Sequence, residues 1–212
     1  MAVALVNWRG PASSLAGPTA DGSGSSLPIP SRGVITGMIG AAFGYAPGSP
    51  ELLALEQALD IAVVVRNPGT EFRDFQTVDI TTPRMGRYQL TPDGLIERGG
   101  AKDKERLIVT RPMAAGFEAI LFIAGVDAAS VDAALREPVF DLYLGRRGCL
   151  PSIPLAGGVE EGDIDTAVSK HAKPGDMVWR LTAPAEGMRF GVDLVSLPER
   201  GGGISWWSRH AD

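Results

Sequence analysis

Apolar and polar positions alternate weakly along Ala2–Trp8, the pattern of an opening β-strand. Nothing periodic follows over residues 9–29, which are rich in Gly, Pro, Ser and Ala and are expected to form a long loop. Loops of that length inside a compact domain are usually functional or disordered. From Pro30 to Gly44 the period becomes helical. Apolar residues at 34, 35, 38, 39, 42 and 43 define one buried face, with Ser31 as N-cap and Gly44 as the C-terminal stop. A second stripe is small throughout: Gly33, Gly37, Gly40, Ala41 and Gly44. Each glycine weakens a helix by roughly 1 kcal/mol relative to alanine, so the stripe needs a reason. Tight core packing accounts for most of it, and close approach of another backbone, either a sheet or an RNA strand, for the rest.

Further along, a short helix is expected around Pro50–Leu59 and a β-branched strand over Asp60–Arg66, ended by the turn Asn67-Pro68-Gly69. Phe72–Val78 has strand character. Beyond it, residues up to about Arg111 are polar, turn-rich and basic, with no periodic apolar face. Such a stretch contributes little to a core and reads either as an excursion that orders on a partner or as a plain surface loop. Phe117–Ala124 is nearly all apolar and is the expected central strand. A helix over Asp127–Arg136 follows and stops at Pro138. Residues 156–176 are acidic and are expected to be a solvated loop. Met177–Leu181 and Met188–Val195 are expected to close the fold as an antiparallel pair, and Trp206-Trp207 to anchor the C-terminus. The order strand, helix, strand, strand, strand, helix, strand predicts an α+β domain with a ferredoxin-like core and a long inserted hairpin.

Composition narrows the function. The chain has 212 residues, a net charge of −5 and a single cysteine, Cys149. Intramolecular disulfides and cysteine-rich metal sites are thereby excluded. The negative balance argues against a generic nucleic-acid binder. The charge is uneven, however: residues 66–111 carry 9 basic and 7 acidic groups, whereas residues 112–212 carry 9 and 14. Contact with a phosphate backbone would therefore use local patches inside a larger assembly. No basic region precedes a long apolar run at the N-terminus, so no secretory signal is expected, and the cytoplasm is the expected compartment.

The most informative chemistry lies in Tyr143-Leu144-Gly145-Arg146-Arg147-Gly148-Cys149-Leu150-Pro151-Ser152. Paired guanidiniums between glycines suit phosphate binding, because each offers a planar fork of donors. The alternative is a surface turn with two solvated arginines. Arg32 sits in the first turn of the glycine helix, where free N–H groups and the helix dipole attract anions.

Taken together these segments resemble the CRISPR-associated CasD (Cas-five) family, a subunit of the type I-E Cascade surveillance complex. Gly10-Pro11 with Gly17 is similar to the family's Gly-Pro-x-x-x-x-Gly loop, with one residue more between. Pro30-Ser31-Arg32, running into Gly37, Gly40, Ala41 and Gly44, is similar to its Pro-Thr-Lys/Arg-Ser glycine-rich helix. Asp74-Phe75-Gln76-Thr77-Val78 resembles its Asp-Tyr/Phe-His/Gln-Thr-Val strand, and Tyr143–Ser152 its Tyr-Leu-Gly-Arg-Arg-Ser-Cys-Pro-Pro-Ser turn. The landmarks fall in family order between residues 10 and 152. The chain departs from the pattern at Gly33, Gly148 and Leu150, and lacks the usual tryptophan of the first loop.

The resemblance implies a RAMP-type protein: an RRM-like core over residues 1–150, a thumb-like β-hairpin at 70–111, and a C-terminal β extension at 151–212. It implies a subunit in antiviral defence that caps the 5′ handle of the CRISPR RNA (crRNA). Such a subunit contacts the backbone and large subunits of Cascade, and meets target DNA only indirectly. Ser31, Arg32, Gly145, Arg146, Arg147 and Gly148 are the RNA contacts it implies, with Arg73, Arg84 and Arg87 added from the composition of the thumb. Tyr143 and Phe75 are expected to pack in the core rather than stack on bases. No cofactor, metal site or membrane is expected.

Catalysis is not expected either. General acid–base cleavage of RNA needs groups converging on one phosphodiester. The two histidines, His171 and His210, lie away from every landmark and are read as surface residues. Two alternatives remain: a metal-independent endoribonuclease acting on precursor RNA, with His171 or a neighbouring lysine essential, and a protein-only assembly scaffold.

Overall fold

A computed structural model describes residues 1–20, 23–79, 88–90, 96–98, 106–181, 193–195 and 207–208. The chain opens with β1 (Ala2–Arg9), β2 (Ala12–Ser13), β3 (Ala16–Ala20) and β4 (Ser23–Ser26), then α1 (Arg32–Phe43) and α2 (Pro50–Ala58). β5 (Asp60–Asn67) and β6 (Thr70–Asp79) follow, then β7 (Tyr88–Leu90), β8 (Ile96–Arg98), β9 (Arg106–Ala115) and β10 (Glu118–Ala124). The remainder is α3 (Ala128–Arg136), β11 (Ala156–Glu161), α4 (Ile164–His171), β12 (Met177–Leu181), β13 (Asp193–Val195) and β14 (Trp207–Ser208).

The main sheet runs in the order β11-β1-β10-β5-β12-β13-β14. Its first four members, taken as β1, β5, β10 and β11 along the chain, are ordered fourth, first, third, second, all antiparallel. With α1–α2 between β1 and β5 and α3 between β10 and β11, this is the ferredoxin-like βαββαβ arrangement. β12 then extends the β5 edge, pairing Trp179 with Val63 and Leu181 with Ile61.

Strand alternation divides the core into two layers. Ala4, Val6 and Trp8 of β1, Ile61, Val63 and Val65 of β5, and Leu121 and Ile123 of β10 pack with Ile35, Ile39, Val131 and Leu135 from α1 and α3. Val3, Leu5, Ala62, Val64 and Phe122 point the other way, onto Ile164, Ala167 and Val168 of α4. Burial on both faces explains why β5 and β10 read as unbroken apolar runs rather than alternating ones. The second face is the one on which RRM domains stack bases, and here a helix covers it.

Residues 156–176, expected as a solvated loop, instead supply β11 and α4, so the core sheet continues past residue 150. α4 has just three buried positions, Ile164, Ala167 and Val168, at helical spacing. Asp163 caps it by accepting from the Thr166 amide at 2.7 Å. Arg180 of β12 ties the neighbourhood together, donating to Asp60 at 2.5 Å and to Asp165 at 2.6 Å.

Between β5 and β10 the chain leaves the core as the expected hairpin. β6 and β9 pair antiparallel over their full ten-residue lengths, from Thr70↔Ala115 to Asp79↔Arg106. The two joints with the core are Gly69 and Gly116, at φ +71° and +69°. A Cβ at Gly69 would also lie 2.6 Å from the Ala115 carbonyl oxygen, so only glycine allows the strands to leave the sheet here. Residues 9–29, expected as a loop, contain β2, β3 and β4. β2 and β4 add to the β9 side of the hairpin. Their pairing is by backbone, which small residues permit without any apolar signature.

Candidate nucleic-acid interface

Three segments distant in sequence meet where the hairpin leaves the core. Ala12 and Ser13 pair with Ala115 and Ala114 of β9, and the Gly116 amide donates to the Pro11 carbonyl at 3.1 Å. The buried Trp8 indole donates to Ser13 Oγ at 3.0 Å. The next residue, Ser14, donates its amide to the Leu144 carbonyl at 2.9 Å, which seats the arginine turn on the first loop. That turn is closed by Leu144 and Cys149, whose amides donate to the carbonyls of Cys149 and Arg146, each at 2.8 Å. Both side chains are buried. Gly145 sits at φ +84°, where a Cβ would meet the Ser14 carbonyl oxygen at 2.2 Å. A Cβ at Gly10 would lie 2.5 Å from the Leu150 carbonyl oxygen, and the Ser152 amide donates to Arg9 O at 2.9 Å. The Gly-Pro loop, the thumb base and the arginine turn are therefore one packed junction.

The charges follow from that packing. Arg146 is half-buried and donates from Nε to Ser14 Oγ at 3.0 Å. Burial, and then the positive charge of Arg111, hold its guanidinium below the ordinary arginine value. Arg111 stands opposite Asp74 across β6–β9, and Asp74 Oδ2 accepts from Gln76 Nε2 at 2.6 Å. Arg147 is exposed. The Tyr143 hydroxyl and, secondarily, Asp141 raise its pKa, so it stays fully charged. Tyr143 donates to Asp141 Oδ2 at 3.3 Å. Burial pushes the Cys149 thiol up, and the side chain packs in the core of the turn.

The expected contact residues divide. Arg146, Arg147 and Gly148 cluster on the turn, and Gly148 is exposed with open space around it. Gly145 serves the turn internally: its amide donates to the Tyr143 carbonyl at 2.9 Å. Ser31 caps α1, accepting from the Val34 amide at 3.4 Å. Arg32 requires a correction. It is 3% exposed and donates to the carbonyls of Leu181 (3.3 Å), Leu59 (2.6 Å) and Glu56, so it holds α1 against α2 and β12 instead of facing a phosphate. Arg73 is exposed on the thumb, sharing one face of the hairpin with Phe75 and Ile108. Phe75 is 62% exposed, contrary to its expected core role. Arg84 and Arg87 lie outside the described residues, as does Trp206.

Of the glycine stripe, Gly40 packs against Leu52 of α2, whereas Gly33 and Gly37 face open space. His171 lies beyond the sheet, its ring 3.1 Å from Glu160 Oε1 and edge-on to Phe122. Among the described residues no group of three or more acidic, histidine or cysteine side chains is placed to hold a metal. No described helix is long and apolar enough to cross a membrane. Two features escaped the sequence reading. Arg111 was submerged in a basic run, and only the strand register places it opposite Asp74 on the hairpin. A groove of about 550 Å³ is lined by Leu135, Leu142, Ile153 and Leu155 together with the charged Arg136, Glu137 and Asp141.

The family described as CRISPR-associated protein (Cas_Cas5) matches residues 4–199. The chain belongs to this family. Two solved structures resemble the fold. One, described as a CRISPR RNA-guided surveillance complex, contains a chain 29% identical at a TM-score of 0.59, the match covering 73% of this chain and 61% of that one. The other, described as a Cas protein, is 19% identical at a TM-score of 0.59, covering 86% and 85%. The chain thus spans about three-fifths of the length of the first relative. No curated protein sequence matches it.

Proposed function

We propose that this Cas5-family protein is a non-catalytic RNA-binding subunit of a type I CRISPR surveillance complex, and that it holds the 5′ handle of the crRNA at the junction between thumb and core. One observation carries the reading: the arginine turn, the first loop and the thumb base are packed into a single unit that presents Arg146 and Arg147 together. With α4 over the sheet face that RRM domains use, a strand of RNA is left with the junction and the thumb. Shape and charge do the work there, as guanidinium forks suit phosphate geometry. Protein contacts with the other subunits fall to exposed apolar residues such as Val139, Phe140 and Leu150.

The test is to co-express the protein with its operon neighbours, sequence the copurifying RNA, and repeat with Arg146→Ala plus Arg147→Ala. Uniform RNAs sharing a repeat-derived 5′ end, depleted in the variant, are expected. Complexes free of RNA, or RNA unaffected by the variant, would overturn the reading. Precursor RNA incubated with the purified protein is expected to stay intact.

A further inference from the structure

The backbone of Ser14 seats the arginine turn without help from its side chain. Its amide donates to the Leu144 carbonyl at 2.9 Å, and its carbonyl oxygen lies against Gly145, where a Cβ would approach to 2.2 Å. Alanine at position 14 would supply both contacts equally well. The hydroxyl therefore has some other use. Ser14 is 2% exposed, in a place where a polar atom without a partner is costly. Among the described residues the one hydrogen-bond partner of that hydroxyl is Arg146 Nε, at 3.0 Å. The acceptor is held still, because Ser13 beside it pairs with Ala114 of β9 and its Oγ accepts from the buried Trp8 indole at 3.0 Å.

Arg146 gains a direction from this bond. A free arginine side chain samples many rotamers, and ordering it on a ligand costs entropy at the moment of binding. A bond at Nε restricts the planar guanidinium and leaves its two terminal nitrogens, which have no partner among the described residues, for something else. Those two nitrogens are a fork that matches two oxygens of a phosphate. We propose that Ser14 is a positioning residue for RNA binding: its hydroxyl takes up Arg146 Nε and so holds the terminal fork of Arg146 ready for a phosphate of the bound RNA. The inference rests on the RNA-binding reading above and adds to it a residue that never touches the RNA.

The co-expressed complex is washed over a salt gradient, and loss of its copurified RNA is followed for wild type, Ser14→Ala, Arg146→Ala and the double variant. Arg146→Ala is expected to weaken retention about tenfold, the size of one charge-assisted contact, and to lower the log–log salt slope by about 0.7, the value for one phosphate on a single strand. Ser14→Ala is expected to weaken retention about fivefold, the cost of ordering one long side chain on binding, with the salt slope unchanged because the charge is still there. The double variant should match Arg146→Ala, since Ser14 acts only through that arginine. A further loss in the double variant, or a slope change in Ser14→Ala, would mean that the hydroxyl supports the whole turn and would overturn the proposal. Wild-type retention in Ser14→Ala beside a loss in Arg146→Ala would overturn it while leaving the RNA reading intact. Wild-type retention in all variants would remove both. If Ser14→Ala does not fold, Arg146→Lys, which keeps the charge but has no Nε to give, should lose about fivefold with the slope unchanged; wild-type retention there refutes the proposal.

Discussion

Replacing Arg32 by methionine separates a structural arginine from an RNA-binding one. Methionine keeps most of the apolar stem and deletes every donor. The guanidinium serves three carbonyls, of which those of Leu59 and Leu181 are deep in the core and that of Glu56 is nearer the surface. A buried acceptor left unpaired costs about 1–3 kcal/mol, so two cost about 4 kcal/mol. Against this, burying the charge is itself unfavourable, and Arg32 Nε has no partner, which returns about 1 kcal/mol on its removal. The expected net loss is about 3 kcal/mol. For a chain of this size that lowers the melting temperature by roughly 6–12 °C. Thermal melting of the purified protein gives the first readout, and RNA retention by the complex, measured well below the melting transition, gives the second. The reasoning predicts a large first effect and none on the second. An unchanged melting temperature with lost RNA would refute it, and would restore Arg32 to the surface role that its place in the first turn of α1 suggests.

Gly145→Ala should be among the most destabilising small changes in the chain, since φ +84° and a 2.2 Å approach to the Ser14 carbonyl both oppose a side chain; a wild-type melting temperature would contradict the seating of the turn. Gly33→Ala with Gly37→Ala should raise stability by about 1 kcal/mol per site, because both positions are open and helical; denaturant titration reads this directly. Phe75→Ala should leave the melting temperature unchanged but weaken RNA retention about tenfold, as one lost base stack; a clear drop in melting temperature would show that the ring packs internally. Asp163, held below the usual 3.8 chiefly by the Thr166 amide, should stabilise α4 fully above that pH and progressively less as pH falls through its lower folded value. Melting curves of wild type and Asp163→Ala should therefore converge at the acid end.

Where burial is two-sided or capping is explicit, the fold was legible in the chain. Residues 61–65 and 119–124 declare themselves by unbroken apolar runs, and α1 by Ser31 at its N-cap; the structure adds Ser49 and Asp127 as the caps of α2 and α3. The thumb was legible as a negative, a long segment without a core-forming face. α4 was not, because three apolar side chains among charges look like a solvated loop until a sheet is known to lie beneath them. The strands within residues 9–29 were hidden for a related reason: backbone pairing with β9 leaves no trace in side-chain periodicity. At the site, Gly145–Gly148 was legible as a turn, while its reading as an RNA contact came from the family resemblance and not from those residues alone. Arg32 misled because a first-turn arginine looks the same whether it reaches outward to an anion or inward to carbonyls. Arg111 was missed because only the β6–β9 register distinguishes it from its basic neighbours.

The two left-handed glycines at the foot of the thumb set the angle at which the hairpin leaves the sheet, and its length magnifies that angle. Ten residues of paired strand span about 33 Å. At that length a tilt of about 10° at Gly69 and Gly116 carries the far end through about 6 Å, while the junction around Ser14 barely shifts. Hydrogen bonds to the first loop fix the base, so a small difference in backbone angle there is read out many times larger at the far ends of β6 and β9.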